Sequence, residues 1–161
     1  MTKQKTQPAV KSIQLTLKGL EALKNELLEL TTIKRPALVD RLSNARSQGD
    51  LSENSDYQNA KEELGFLEGR IDELNAVIKN AKVVSDNGNG NSVGVGTKVT
   101  VRVNGVKNTF EIVGEWEADI KTKKISHTSP LGASLVDKKV GDKFEIEAPV
   151  GKVLYEVIAI D

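Results

Sequence analysis

Asp50 and Glu53 are the carboxylates whose spacing and setting most suggest chemistry. They stand three residues apart in Gln48-Gly49-Asp50-Leu51-Ser52-Glu53-Asn54-Ser55, a run rich in turn and helix-capping residues and poor in apolar ones. At the start of a helix, carboxylates so spaced can point the same way and share one cation. Magnesium suits them: it prefers oxygen ligands in octahedral geometry, gives up water reluctantly, and is usually held by one or two carboxylates plus substrate phosphates. Two carboxylates hold such an ion weakly alone. They can instead complete a site that another protein supplies, adding ligands to the second ion of a two-metal phosphoryl-transfer centre and orienting its attacking water. The same spacing also makes an N-terminal capping box whose acids favour the positive end of the helix dipole. Spacing alone leaves both readings open, and capping is the commoner use of such a pair.

Other groups gather near this run. Lys34, Arg35, Arg41, Arg46 and Lys61 give one end of the surrounding segment a cationic side. Such a side can contact an RNA backbone or serve as a solvated face of ordinary helix ion pairs. Tyr57, four residues after Glu53, can stack on a base or pack into a helix seam. Further along, Ile125-Ser-His-Thr-Ser-Pro-Leu131 sets small polar residues and a proline together, as a partner-docking loop or a plain turn would. His127 lies in that run with no cysteine or carboxylate arrangement to make it a ligand or a triad member, and reads as a surface or satisfied histidine.

The composition excludes much else. There is no cysteine and one histidine, so disulfides, thiolate nucleophiles, sulfur-ligated zinc and histidine clusters are ruled out. The 23 basic and 23 acidic residues balance, giving no sign of a free-standing nucleic-acid binder. No segment approaches the ~20 consecutive apolar residues of a membrane span, and Met1 to Ser12 lacks the apolar core of a secretory signal. A soluble cytoplasmic protein is expected. The aromatics Phe110, Trp116, Phe144 and Tyr155 are too few to argue for a small-molecule pocket and read as packing.

The elements that must position Asp50 and Glu53 are two long helices. Tyr57, Ala60, Leu64, Leu67, Ile71, Leu74, Ile78 and Ala81 alternate spacings of three and four, a heptad seam without a break. Leu20, Leu23, Leu27 and Leu30 share that rhythm. It resumes at Leu38, Leu42 and Ala45 after an eleven-residue step from Leu27, a stutter that relaxes the supercoil. Pro36 lies inside the step, removes a backbone donor, and predicts a bent helix. Gly49 suits the end of the first helix, and Ser55 with Gln58 suits a capping box opening the second. Helices joined by so short a turn pack antiparallel, and at ~30 residues each the hairpin should be about 40–45 Å long. That exceeds a small domain, so its far end must project into solvent or into a partner.

The pattern then changes. Lys82 to Gly96 shifts to Asn, Gly, Ser and Val, as a linker does. Beyond it, 98–103 and 107–113 alternate in period two around Asn104-Gly105, the favoured pair for a tight hairpin turn. Strands are expected at 143–147 and 153–160, and a short helix at 132–138. The chain thus reads as α+β with two domains: an extension at 1–12, an antiparallel coiled-coil hairpin at 13–81 with its acidic tip at 49–55, a linker at 82–96, and a small antiparallel-sheet domain at 97–161.

These residues resemble a known family. The run Lys34 to Leu64, with Gly-Asp-Leu-x-Glu-Asn-x-x-Tyr from Gly49 to Tyr57 at its centre, is similar to the hairpin tip of the Gre transcript-cleavage factors, of the GreA type. Ile125-Ser-x-x-Ser-Pro-Leu131 with Leu135, and Glu156-Val-Ile158, add further matches, and the likeness runs from about Ile13 to the end. The resemblance implies an FKBP-like C-terminal domain that docks at the rim of the bacterial RNA polymerase secondary channel while the hairpin enters it. It implies that Asp50 and Glu53 help bind a magnesium ion shared with the polymerase and activate water. The polymerase, rather than this chain, then cleaves the 3′ end of backtracked nascent RNA and resumes elongation. It also assigns docking to Ser129, Pro130 and Leu131, and leaves Lys34, Arg35, Arg41, Arg46, Tyr57 and Lys61 as contacts to RNA or the tip's surroundings. Two departures bear on docking rather than on the tip: Trp116 stands where acidic or polar residues are usual, and Gly132-Ala133-Ser134 replaces a segment that often carries arginine. Two other functions fit the same architecture. One is a channel-occupying inhibitor, whose tip acids are usually altered; the other is a prolyl isomerase, against which the sparse aromatics argue.

Overall fold

The computed structural model describes residues 12–49, 53–84 and 91–161. These described residues form two compact units: those of Glu21–Lys79, and those before Glu21 together with those from Asn80 on.

The first unit is the helical hairpin. Helix α1 (Leu17–Glu29) passes through a π-helical turn, Leu30–Lys34, into α2 (Arg35–Arg46), and α3 (Ser55–Lys79) returns. Ion pairs fix the antiparallel register: Arg41 meets Asp56 at 2.9 Å and Glu63 at 3.1 Å, Arg35 meets Glu68 at 2.9 Å, and Arg70 meets Glu26 at 2.8 Å. Each is part-exposed and screened by solvent, so these pairs align the helices more than they stabilise them. The stabilisation comes from the seam. Leu23, Leu30 and Ala45 on the outgoing arm and Ala60, Ile71, Leu74 and Val77 on the returning one are buried, and each large side chain so removed from water gives roughly 1.5–3 kcal/mol. Tyr57, Leu64, Leu67 and Ile78 of the expected heptad are half-buried, while Ala81 has left the helix for a strand.

A bend was expected at Pro36, and the irregular turn ends two residues before it, at Lys34. The Arg35 N–H donates to the Leu30 carbonyl five residues back, which defines the wider turn. The hydroxyls of Thr31 and Thr32 donate to the carbonyls of Leu27 and Leu28 at 2.8 and 2.6 Å, engaging acceptors of the preceding turn.

The second unit is built on a five-stranded sheet, ordered β5-β4-β3-β7-β6. Its strands are β3 (Lys98–Val103), β4 (Val106–Val113), β5 (Lys124–Ser126), β6 (Lys143–Ala148) and β7 (Gly151–Ile160). Asn104 and Gly105 take φ of 51° and 79° between β3 and β4, the left-handed pair that a two-residue hairpin turn needs. The sheet is mixed rather than antiparallel throughout. Strand β5 runs parallel to β4, because the connection between them carries a 3₁₀ turn, Glu115–Glu117, and returns the chain in the same sense. Val93, Val99, Val101, Ile112, Leu135 and Val157 make the core. Phe144 and Tyr155 stack at 5.4 Å beside it, which is the packing role expected of these aromatics.

A separate parallel pair, β1 (Ile13–Leu15) and β2 (Ala81–Val83), belongs to this unit as well. The stretch expected to be linker, 82–96, therefore contains part of a strand and one core residue. Val93 is 1% exposed, donates its N–H to Lys138 O and accepts from Asp137 N, both at 2.8 Å. The short helix α4 (Pro130–Leu135) begins and ends earlier than expected: Ser129 and Pro130 fix its start, and Asp137 at φ 66° stops the chain from continuing.

Candidate functional site

The end of α2 and the start of α3 converge on a turn whose described part is Ser47–Gly49 and Glu53–Asn54. Ser47 and Gln48 close the end of α2 through backbone bonds to Ser43 O and Ala45 O, each 3.2 Å, and Gly49 has φ 126°, as a residue ending a helix requires. Asp50 lies outside the described residues. Glu53 is exposed, next to Asn54.

The cap of α3 is Asn54, not the expected Ser55. Its Oδ1 accepts from the Tyr57 N–H at 3.1 Å, while its Nδ2 donates across the turn to the Ala45 carbonyl at 2.7 Å. Asparagine is among the best N-cap residues, so the run Glu-Asn-Ser carried the signal, but it gave no hint of the second bond. Tyr57 is half-buried at its seam position.

The cationic side separates into two groups. Arg41, Arg35 and Lys34 are committed to Asp56 with Glu63, to Glu68, and to Glu29 at 3.8 Å. Hydrogen bonds donated to Asp56 and Glu63 push the Arg41 guanidinium further above its ordinary value, so it stays charged at any working pH. Arg46 and Lys61 are exposed and form no ion pair among the described residues. Of the five cations, these two are the ones without a carboxylate partner among the described residues.

The second candidate region precedes α4. Ser129 caps this helix: its Oγ accepts from Gly132 N at 3.0 Å and donates to Ser126 O at 2.7 Å. Leu131 is half-buried against the core, which leaves Pro130 as the exposed member of the three residues expected to dock. His127 donates its backbone N–H to Val113 O at 3.1 Å and brings Nδ1 within 3.3 Å of the same oxygen, a satisfied histidine.

One cluster had no sequence signal. Glu117, in the 3₁₀ turn, accepts the backbone N–H of Thr16 at 2.9 Å and of Gly114 at 3.0 Å, and also the Thr16 hydroxyl. Thr16 in turn caps the first turn of α1 by accepting from Gly19 N at 3.1 Å. A Cβ on Gly19 would lie 2.1 Å from the Glu117 carboxyl carbon, so the contact requires glycine there. The partners are 101 residues apart in the chain, beyond any local pattern.

Among the described residues no three His, Cys, Asp or Glu side chains gather as a metal site, and no helix is long and apolar enough to cross a membrane.

Family models cover nearly the whole of this architecture. The N-terminal domain model of the transcription elongation factors matches residues 13–83, and the GreA/GreB C-terminal model matches residues 88–161. The chain belongs to the GreA/GreB family of transcription elongation factors. Within the family it is similar to transcription elongation factor GreA of Bacillus subtilis (strain 168), 43% identical over 152 residues covering 93% of this chain and 97% of that one. GreA of Maricaulis maris (strain MCS10) is 42% identical over 151 residues, covering 92% and 96%. Among solved structures, GreA factor homolog 1 (Gfh1) of Thermus thermophilus is similar at 28% identity, with a TM-score of 0.45 over 94% of this chain and 99% of that one. The two GreA/GreB models thus correspond to a helical part bounded by β1 and β2 and to the sheet with α4.

Proposed function

We propose that this transcription elongation factor acts in the cytoplasm on bacterial RNA polymerase, entering its secondary channel and stimulating the polymerase's own endonucleolytic cleavage of the 3′ end of backtracked RNA. Arrested complexes are thereby returned to elongation. The observation that carries the reading is Glu53: an exposed carboxylate beside a capped, bridged turn between two antiparallel helices.

The donor set fits a magnesium ion shared with the polymerase and does not fit one held alone. Glu53 and Asp50 supply hard oxygen ligands, but two carboxylates leave most of an octahedral shell to water, polymerase residues and RNA phosphate. When bound, such an ion lowers the pKa of its water and stabilises charge developing on the phosphate. Glu53 and Asp50 need only hold the ion and orient the water; the bond broken is the polymerase's to break. On this reading the chain is not itself an enzyme. Arg46 and Lys61 offer charge to the RNA backbone, Tyr57 stays largely with the seam, and Pro130 with the flanks of Ser129 and Leu131 contacts the channel rim.

The test is cleavage of a defined backtracked elongation complex. Asp50→Ala and Glu53→Ala are each expected to lower the stimulated rate by about 100-fold or more, the usual loss when a group that activates water is removed. Both should still compete with wild-type factor for the polymerase. Undiminished cleavage by both variants would refute the reading. Blocked elongation with no short RNA released by the wild type would identify an inhibitor instead.

A further inference from the structure

Glu53 is exposed and has no hydrogen bond or ion pair to any described residue, so among the described residues it is the backbone next to it that sets its position. That backbone is fixed on both sides by one side chain. We propose that Asn54 is a positioning residue for the acidic tip, its amide bridging the end of α2 to the start of α3 and so setting where Glu53, its immediate neighbour, stands. This rests on the function proposed above.

The anchors at either end are rigid. Ala45, whose carbonyl accepts from Asn54 Nδ2 at 2.7 Å, is 1% exposed and held in the seam. Tyr57, whose N–H donates to Asn54 Oδ1 at 3.1 Å, begins the α3 turn that leads to Ala60, which is fully buried. One orientation of the amide satisfies both partners, because a carbonyl can only accept and an N–H can only donate. The Ala45 carbonyl also accepts from Gln48 N at 3.2 Å, so the two flanks of the turn meet at a single oxygen. A loop end held in this way loses its freedom to drift, and drift matters: a misplacement near 1 Å at a reacting centre can cost about 100-fold.

Asn54→Asp separates this role from helix capping. Aspartate caps a helix as well as asparagine does and suits the helix dipole. Ionised, however, it has no donor for Ala45 O and sets negative charge against that carbonyl. Asn54→Ala removes both bonds.

The experiment titrates each variant against a backtracked complex until cleavage saturates, and repeats the titration in magnesium; far-UV circular dichroism melts accompany it. Both variants are expected to saturate at a rate lower by about tenfold, to reach half-effect at a factor concentration within about twofold of wild type, and to need several times more magnesium. The magnesium shift is what a merely structural role would not produce. Asn54→Asp cleaving at the wild-type rate and magnesium requirement would overturn the proposal, as would recovery of either variant by adding more factor. Glu53→Ala is run alongside. Should it cleave normally, the reading of the tip acids falls and this role with it; should it fail while Asn54→Asp cleaves normally, only Asn54's role falls.

Discussion

The hairpin tip and the loop before α4 use the same local device in different surroundings. In each, a short polar side chain accepts the N–H of the third residue on and reaches back to a carbonyl of the preceding segment: Asn54 to Tyr57 and Ala45, Ser129 to Gly132 and Ser126. Around Ser129 the backbone is then closed by packing. A Cβ on Gly132 would lie 1.9 Å from the Ser126 carbonyl oxygen, and Ser126 itself is buried. Around Asn54, Glu53, Ser55 and Asp56 are exposed. The loop is shaped by contact as well as by hydrogen bonds; at the tip, hydrogen bonds leave the flanking side chains open to a partner. A tip built this way can change its surface chemistry without disturbing a core.

Four substitutions sharpen that contrast, read through Trp116 fluorescence for the sheet unit, which holds the chain's one tryptophan, and through the helical dichroism signal for the hairpin. Gly132→Ala should have the largest effect. Forcing a methyl into that contact costs about 1–3 kcal/mol, which lowers the Trp116 transition by roughly 10 °C and leaves the helical transition in place. Ser129→Ala, which removes the cap but creates no clash, should cost the same transition about 1 kcal/mol. Gly65→Ala and Gly69→Ala should act in the opposite direction. Nothing lies within 4 Å of a Cβ at either position of α3, so the usual gain of about 0.5–1 kcal/mol for replacing a helix glycine should raise the helical transition. Destabilisation by these alanines would mean that the hairpin too is limited by packing, and the contrast would fail.

What was legible in the sequence follows the range of the interactions. The seam of α3 showed in its spacing because one face of a helix is buried along its length, and the β3–β4 turn showed because Asn-Gly is chosen for positive φ. Strands β1 and β2 were invisible: three residues each, paired across 65 intervening positions, they carry no period to detect. Val93 sat unnoticed among glycine and asparagine for the same reason. At the site, the acidic motif and the cations could be read, but not that Glu63, Asp56 and Glu68 had already claimed Arg41 and Arg35. Spacing finds which residues share a face and is silent on which partner each will take. The second bond of Asn54 and the Glu117–Thr16 contact depend on tertiary approach, and no local rule encodes them.

The π-helical turn at Leu30–Lys34 has one more consequence. Leu30 is buried, and the next apolar residue of its stripe, Leu38, comes eight positions later, one more than a heptad allows. In an unbroken α-helix Leu38 would lie about 80° round from Leu30, toward the margin of the apolar stripe rather than in line with it. A turn closed five residues back takes up the surplus within its own circumference. It works as a vernier between the halves of the helix: insertion is absorbed locally, and the tip that follows keeps its bearing.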